Sequence, residues 1–200
     1  MATAVACCFW MRANQSFKPT PLARLNSGVR LFVMASDSNR HSERQERWLR
    51  LAPIATRYLC TGAKARVLPG LALVGFRPVE CSLGNPEWPV SAQEIEVERR
   101  GEGFVDSIAF NFDKYRRPRF QVHAARRSLN PPHQFIRSGN LVVHPSQYYH
   151  YWGRPWWLPT ALWSQSAASS TLFRVSQCVP QLLEFLDSGA RGCNVSRQPQ

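Results

Sequence analysis

The sequence predicts an α+β fold, an antiparallel three- to four-stranded sheet packed against N-terminal and C-terminal helices. Two patterns carry that expectation. Residues 94–126 alternate polar and apolar side chains with a period of two and are interrupted only by short turns. Apolar residues at helical spacing flank this stretch at 42–59 and at 176–187. The length of 200 residues favours one domain, and 44% hydrophobic with 19% charged residues places the chain among globular proteins. The expected organisation is a disordered leader over 1–39, a single domain over 40–190 and a frayed tail over 191–200.

Residues 1–33 of the leader carry Arg12, Lys18, Arg24 and Arg30 but no acid, include Pro19 and Pro21, and show no sustained period. The first predicted helix runs from Ser42 to about Leu59. Ser42 and Gln45 have the spacing of a capping box, and Glu43 and Glu46 suit the positive end of a helix dipole. Trp48, Leu51, Ala52, Ala55, Tyr58 and Leu59 make its apolar face, and Pro53 is expected to kink or restart it. Leu68, Leu71, Leu73 and Val74 predict a short helical piece around Pro69, ended by Gly75. Residues 76–92, with Pro78, Pro86 and Pro89, read as a connecting loop.

In the first predicted strand Ile95 and Val97 share one face, while Glu94, Glu96 and Glu98 share the other. Gly101-Glu102-Gly103 is a turn, and a second strand over Val105–Asp113 aligns Ile108, Phe110 and Phe112. A turn at Tyr115-Arg116-Arg117-Pro118 leads to a third strand, Arg119–Arg126, with Phe120, Val122 and Ala124 aligned. Together these form an antiparallel meander with one face packed and one solvated. Leu141-Val142-Val143 is a candidate fourth strand. Leu172–Val175 reads as a short strand, and the last helix spans about Ser176 to Asp187 with Gly189 as its C-cap.

Chemistry is sparse in this sequence. Three alternating glutamates could split their pKa values for acid–base work, but such alternation is also how a solvated strand face looks. Asp113, beside Lys114, reads as a turn residue. His123, His133, His144 and His150 fall in no compact metal-binding spacing, and no phosphate-binding or nucleophile-elbow motif occurs. A serine or cysteine could still meet a histidine in space. Neither a cofactor nor a catalytic residue is nominated. Six cysteines, Cys7 and Cys8 adjacent and the rest far apart without a CxxC pair, read as thiols in a reducing cytoplasm. No apolar run is long enough for a membrane span.

A net charge of +12 attracts phosphates, yet only three of the bases are lysines and the arginines are scattered in short pairs. The segment that stands above background is the aromatic loop over 145–163. Tyr149, His150, Trp152, Arg154, Trp156 and Trp157, with Arg116 and Arg117 of the β-turn, form the candidate binding surface. Rings interleaved with arginine suit a protein partner or, as an alternative, stacked bases of nucleic acid.

Two resemblances add to this reading. Ala13-Asn14-Gln15-Ser16-Phe17-Lys18-Pro19 with Leu25-Asn26-Ser27-Gly28-Val29-Arg30-Leu31 resembles the translation of an integron cassette recombination site, which implies a gene carried on mobile bacterial DNA. Phe112–Phe120 and the Trp-rich loop before a terminal helix resemble small bacterial proteins of unknown function. That likeness implies α+β architecture and no particular activity. The function expected is a small non-catalytic binding or accessory, immunity-type protein, with a nucleic-acid-binding module as the alternative and a hydrolase as the third possibility.

Overall fold

A computed structural model describes residues 30–82, 87, 89–130, 134–142, 150–151 and 159–197. Four helices and seven strands follow in the order α1 (Arg30–Arg50), α2 (Ile54–Arg66), α3 (Leu68–Leu73), β1 (Arg77–Val79), β2 (Glu94–Gly101), β3 (Phe104–Phe112), β4 (Arg119–Ser128), β5 (Phe135–Leu141), β6 (His150–Tyr151), α4 (Thr160–Ser188) and β7 (Val195–Arg197). The α+β class is the one the sequence predicts, but the sheet is larger. All pairings are antiparallel, in the order β1-β2-β3-β4-β5-β7, and the two-residue β6 pairs with β4 beyond the end of β5.

The meander is built in the expected register. Ile95 faces Phe110, Val97 faces Ile108, Phe110 faces Val122 and Phe112 faces Phe120. These side chains lie on one face and are buried against the helices. A file of rings, Trp48–Phe112–Phe120–Phe110, crosses the interface with centroids 5.4–6.4 Å apart, in the range where tilted aromatic pairs attract. Small residues let the helices close over this layer. At Gly62 of α2 a Cβ atom would lie 2.5 Å from Leu172 Cδ1 of α4, so any larger residue there would have to displace the Leu172 side chain.

Several boundaries differ from the sequence reading. The first helix begins at Arg30, so Ser42 lies inside it and caps nothing. Gln45 instead reaches the sheet, its Nε2 donating to the Glu94 carbonyl at 3.1 Å. Pro53 does restart the helix, as the N-cap of α2. Leu51, placed on the apolar face by spacing, falls in the break before Pro53 and is 66% exposed. The short α3 forms around Pro69 as expected.

The predicted loop over 76–92 contains β1, an edge strand whose Pro78 needs no ladder donor. The fourth strand ends where it was expected to begin, at Leu141. Leu172–Val175 is helical, not extended. Ser164, Ala168, Thr171, Leu172, Val175, Leu182, Phe185 and Leu186 are buried at helical intervals, and the interior Pro180 sits on the exposed side. The C-terminal residues 195–197 form β7 against β5. Gly189 is the C-cap, with φ 82°. Among the described residues no helix is long and apolar enough to cross a membrane, and Cys60, Cys81, Cys178 and Cys193 form no disulfide.

One cross-strand row on the packed face is charged. Arg99, Asp106, Arg126 and Arg137 stand directly opposite one another on β2, β3, β4 and β5. Asp106 is 0% exposed. It accepts from Arg99 at 2.7 Å and from Arg126 at 2.6 and 2.8 Å, and both arginines also reach Asp187 of α4 at 2.6 and 3.0 Å. Arg137 donates to the Leu186 carbonyl. The last turn of α4 holds no base of its own, so these sheet arginines neutralise the negative end of its dipole.

Three stability outcomes follow, all measurable by urea unfolding. Phe110→Ala should lose about 3–5 kcal/mol, because it empties the centre of the ring file. Asp106→Ala should lose a similar amount, about 3–5 kcal/mol, by stranding two guanidinium groups. Asp187→Ala, at a half-exposed site, should lose at most about 1 kcal/mol.

Candidate functional site

The second face of the sheet is not the wet surface that alternation implies. Glu96 and Glu98 are only 6% and 4% exposed. Their cover comes in part from the β1–β2 connection, which folds back on itself. The Val90 N–H donates to the Glu80 carbonyl at 2.7 Å, Cys81 bridges to Pro89, and the Ser82 hydroxyl donates to Glu96 Oε1 at 3.1 Å. The solvated-face expectation therefore fails because a connection read as open loop is itself structured.

Register places this face in rows. One runs Glu96, Ala109, His123, Asn140; the next runs Glu98, Ser107, Ala125, Ser138. Carboxylates line β2, small residues floor β3, and on the far side stand His123 of β4, two strand spacings or about 10 Å from the acids, and Ser138 of β5, one spacing further. His123 Nε2 and Ser138 Oγ are 3.0 Å apart. This is the meeting of a histidine and a serine that sequence spacing could not show.

Where β1 ends, β2 loses its neighbour and α1 crosses the gap. Gln45 holds the Glu94 carbonyl, and the Arg44 guanidinium reaches the Val90 carbonyl at 3.5 Å. The space between α1, the α2–α3 corner and this sheet edge is a half-open cavity of about 360 Å³. His41, Gln45, Lys64, Glu80 and Glu96 give it polar walls, with Leu68, Pro78, Val79 and Ile95 between them. That volume and mixture are typical of small-molecule pockets.

Burial shifts two of the groups on the cavity wall. It pushes the Glu96 carboxyl up to about 7; the Ser82 hydrogen bond opposes this, Glu94 and Glu98 reinforce it, and Arg127 opposes it. It lowers the His41 pKa, helped by the charges of Arg44 and Lys64 and opposed by hydrogen bonds to the backbone of Val90 and Glu94. His41 Nδ1 is buried with no hydrogen-bond partner among the described residues. Glu96 can thus donate or accept a proton at neutral pH. Among the described residues no cluster of three histidine, cysteine or acidic side chains could hold a metal ion.

The nominated surface is divided. Tyr149, Trp152, Arg154, Trp156 and Trp157 lie outside the described residues, and His150 is placed by its backbone in β6 opposite Phe120. Arg116 and Arg117 serve the β3–β4 turn. Arg116 has φ 60°, and its carbonyl accepts the Thr56 hydroxyl of α2 at 2.7 Å, which docks the turn on the helix. The guanidinium of Arg117 lies over the exposed Tyr115 ring, 5.7 Å from its centroid. Asp113 is the turn residue expected, accepting the Tyr115 N–H at 2.7 Å. Neither arginine lines the cavity.

Of the cavity residues, only Glu96 carried a chemical signal in the sequence, through its alternation with Glu94 and Glu98. Gln45 read as a cap, and His41, Lys64 and Glu80 had no motif around them. No family model matches the sequence, and neither a curated protein nor a solved structure matches the chain.

Proposed function

We propose that this chain is a small-molecule-binding protein, cytoplasmic and of accessory type, carried on mobile DNA as the likeness of its leader suggests. The observation that carries the reading is the cavity of about 360 Å³ with Glu96, His41 and Lys64 on its walls. A nucleic-acid module is less supported, because part of the arginine excess is structural. Arg99 and Arg126 clasp Asp106, Arg119 is paired with Asp113, and Arg127 stacks 4.0 Å from the centroid of Phe135. A salt-dependent shift with generic oligonucleotides would restore that alternative.

A second reading, hydrolysis, is favoured by the His123–Ser138 contact, in which the imidazole could take the hydroxyl proton. Labelling with a fluorophosphonate that is lost in Ser138→Ala supports it; an unlabelled wild-type chain removes it. The binding reading is tested by amide NMR with a set of polar fragments. Shifts should cluster on Gln45, Leu68, Val79 and Ile95. A map that avoids these residues overturns the reading.

Glu96 also makes a pH prediction. Its folded pKa of about 7 lies above the ordinary 4.5, so the folded chain holds a proton that the unfolded chain has released. Stability from this group is full below about pH 4.5 and is lost as pH rises through 7. Glu96→Gln keeps an acceptor for Ser82 but cannot ionise. It should therefore be about 1–2 kcal/mol more stable than wild type at pH 8 and show a flatter profile between pH 5 and 7 in urea unfolding.

A further inference from the structure

We propose that Cys178 of α4 and Cys193, just before β7, are a peroxide-sensitive thiol pair whose disulfide staples the root of β7 to the helix. This is independent of the cavity reading and does not fall with it.

The path of the chain after α4 brings the two residues together. Gly189 ends the helix with φ 82°, and the chain then runs back along it. At Gly192 a Cβ atom would lie 2.8 Å from Gln181 Cβ, so this residue is seated on the helix surface at the level of Gln181. Cys193 follows with its Sγ 3.8 Å from Gln181 Oε1, and the Asn194 N–H donates to the same oxygen at 3.1 Å. Helical side chains lean toward the N-terminus, so the far end of Gln181 marks the turn before it. Cys178 stands in that turn, three residues earlier on the same side of α4. Three helical residues rise about 4.5 Å and one extended residue advances about 3.3 Å. One step past Gly192 therefore brings Cys193 close to the level of Cys178. The charge of Cys193 acts on Cys178, in keeping with that closeness.

The two thiols have different settings. Cys193 is exposed and open to an oxidant, whereas Cys178 is half-buried against the edge of the core. Burial raises the Cys178 pKa, and the charge of Cys193 adds to this, so oxidation starts at Cys193. Its thiolate attacks peroxide, the O–O bond breaks, and the sulfur is oxidised to a sulfenic acid as hydroxide leaves. The Cys178 thiolate then attacks that sulfur. The S–S bond forms, the S–O bond breaks, and a second hydroxide leaves. Each hydroxide takes up the proton that one thiol released, so two thiols and one peroxide give one disulfide and two waters. Cys60 does not compete, because burial pushes its thiol up to about 11. Cys81 lies beside β1, at the opposite edge of the sheet from β7.

In the reduced chain, hydrogen bonds between Gln181 and Asn194 tie this segment to α4. The disulfide would close the loop over 178–193 and restrict the freedom of β7 to leave β5.

The test uses the full chain, reduced, exposed to hydrogen peroxide, blocked at its remaining thiols and mapped by peptide mass spectrometry. A linkage between the Cys178 and Cys193 peptides, reversed by dithiothreitol, is expected. Cys193→Ser should form none, and Cys178→Ser should stop at the sulfenic acid, which dimedone captures. Amide exchange over Val195–Arg197 should slow by about tenfold or more when wild type is oxidised, and should not slow in either variant. An unreactive Cys193, or one oxidised further without a linkage, overturns the pair. So does a linkage that instead engages Cys7, Cys8, Cys60, Cys81 or a second copy of the chain. A Cys178–Cys193 linkage with unchanged exchange over β7 overturns the staple.

Discussion

The buried carboxylate of Asp106 is the constraint around which the rest is arranged. A carboxylate with no solvent contact is costly unless it is paired and hydrogen-bonded on all sides. Here two arginines from the neighbouring strands satisfy it, and the same two reach across the layer to Asp187 at the end of α4. Register between β2, β3 and β4 and the seating of α4 are therefore one condition. A slip of one residue on any of the three strands would turn one member of the row to the opposite face and leave its partners buried with unbalanced charge. The apolar layer between sheet and helices supplies the burial, and the charged row adds a specific pairing requirement to the same register.

The two faces of the sheet divide the labour. Toward the helices the residues are large and apolar, apart from the charged row at one end. Away from them the residues are small or polar, with Ala109, Ala125 and Ser107 forming a floor between glutamates and the His123–Ser138 pair. A fold that buries both faces can keep ionisable groups poorly solvated without placing them in its main core. That is the setting in which a glutamate comes to titrate near neutrality. The cavity then arises where the short β1 leaves β2 unpaired and α1 must cover the gap.

The meander was legible because Ile95, Val97, Ile108, Phe110, Phe112, Phe120, Val122 and Ala124 alternate with polar residues and the turns between them are short. Alternation reports which residues share a face. It does not report whether the polar face meets water, so Glu96 and Glu98 looked solvated. That depended on residues 80–82 lying against 89–90 and Ser82 reaching Glu96, a tertiary fact without a local signature. The α4 misreading has a similar origin: Thr171, Leu172, Phe173 and Val175 suit a strand locally, and only the longer interval from Ser164 to Leu186 shows the helical stripe. Within the site, Glu96 was visible as a member of a series, whereas His41, Lys64 and Glu80 come from separate elements and converge only through packing.

Gln181 and Asn194 together tie the C-terminal strand to α4 and to the end of β5. Gln181 of α4 accepts the Asn194 N–H at 3.1 Å and donates to the Asn194 side chain at 3.3 Å, while Asn194 Nδ2 donates to the Val142 carbonyl at 3.0 Å. Through these bonds the three residues of β7 are laid along Gly139–Leu141 of β5. Strand edges are templates for the edges of other chains, and natural sheets close them with short or charged strands. β7 is both short and tipped by Arg197, so it acts as a guard rail for the sheet. The closing of this sheet edge thus involves a helix side chain that does not line the cavity.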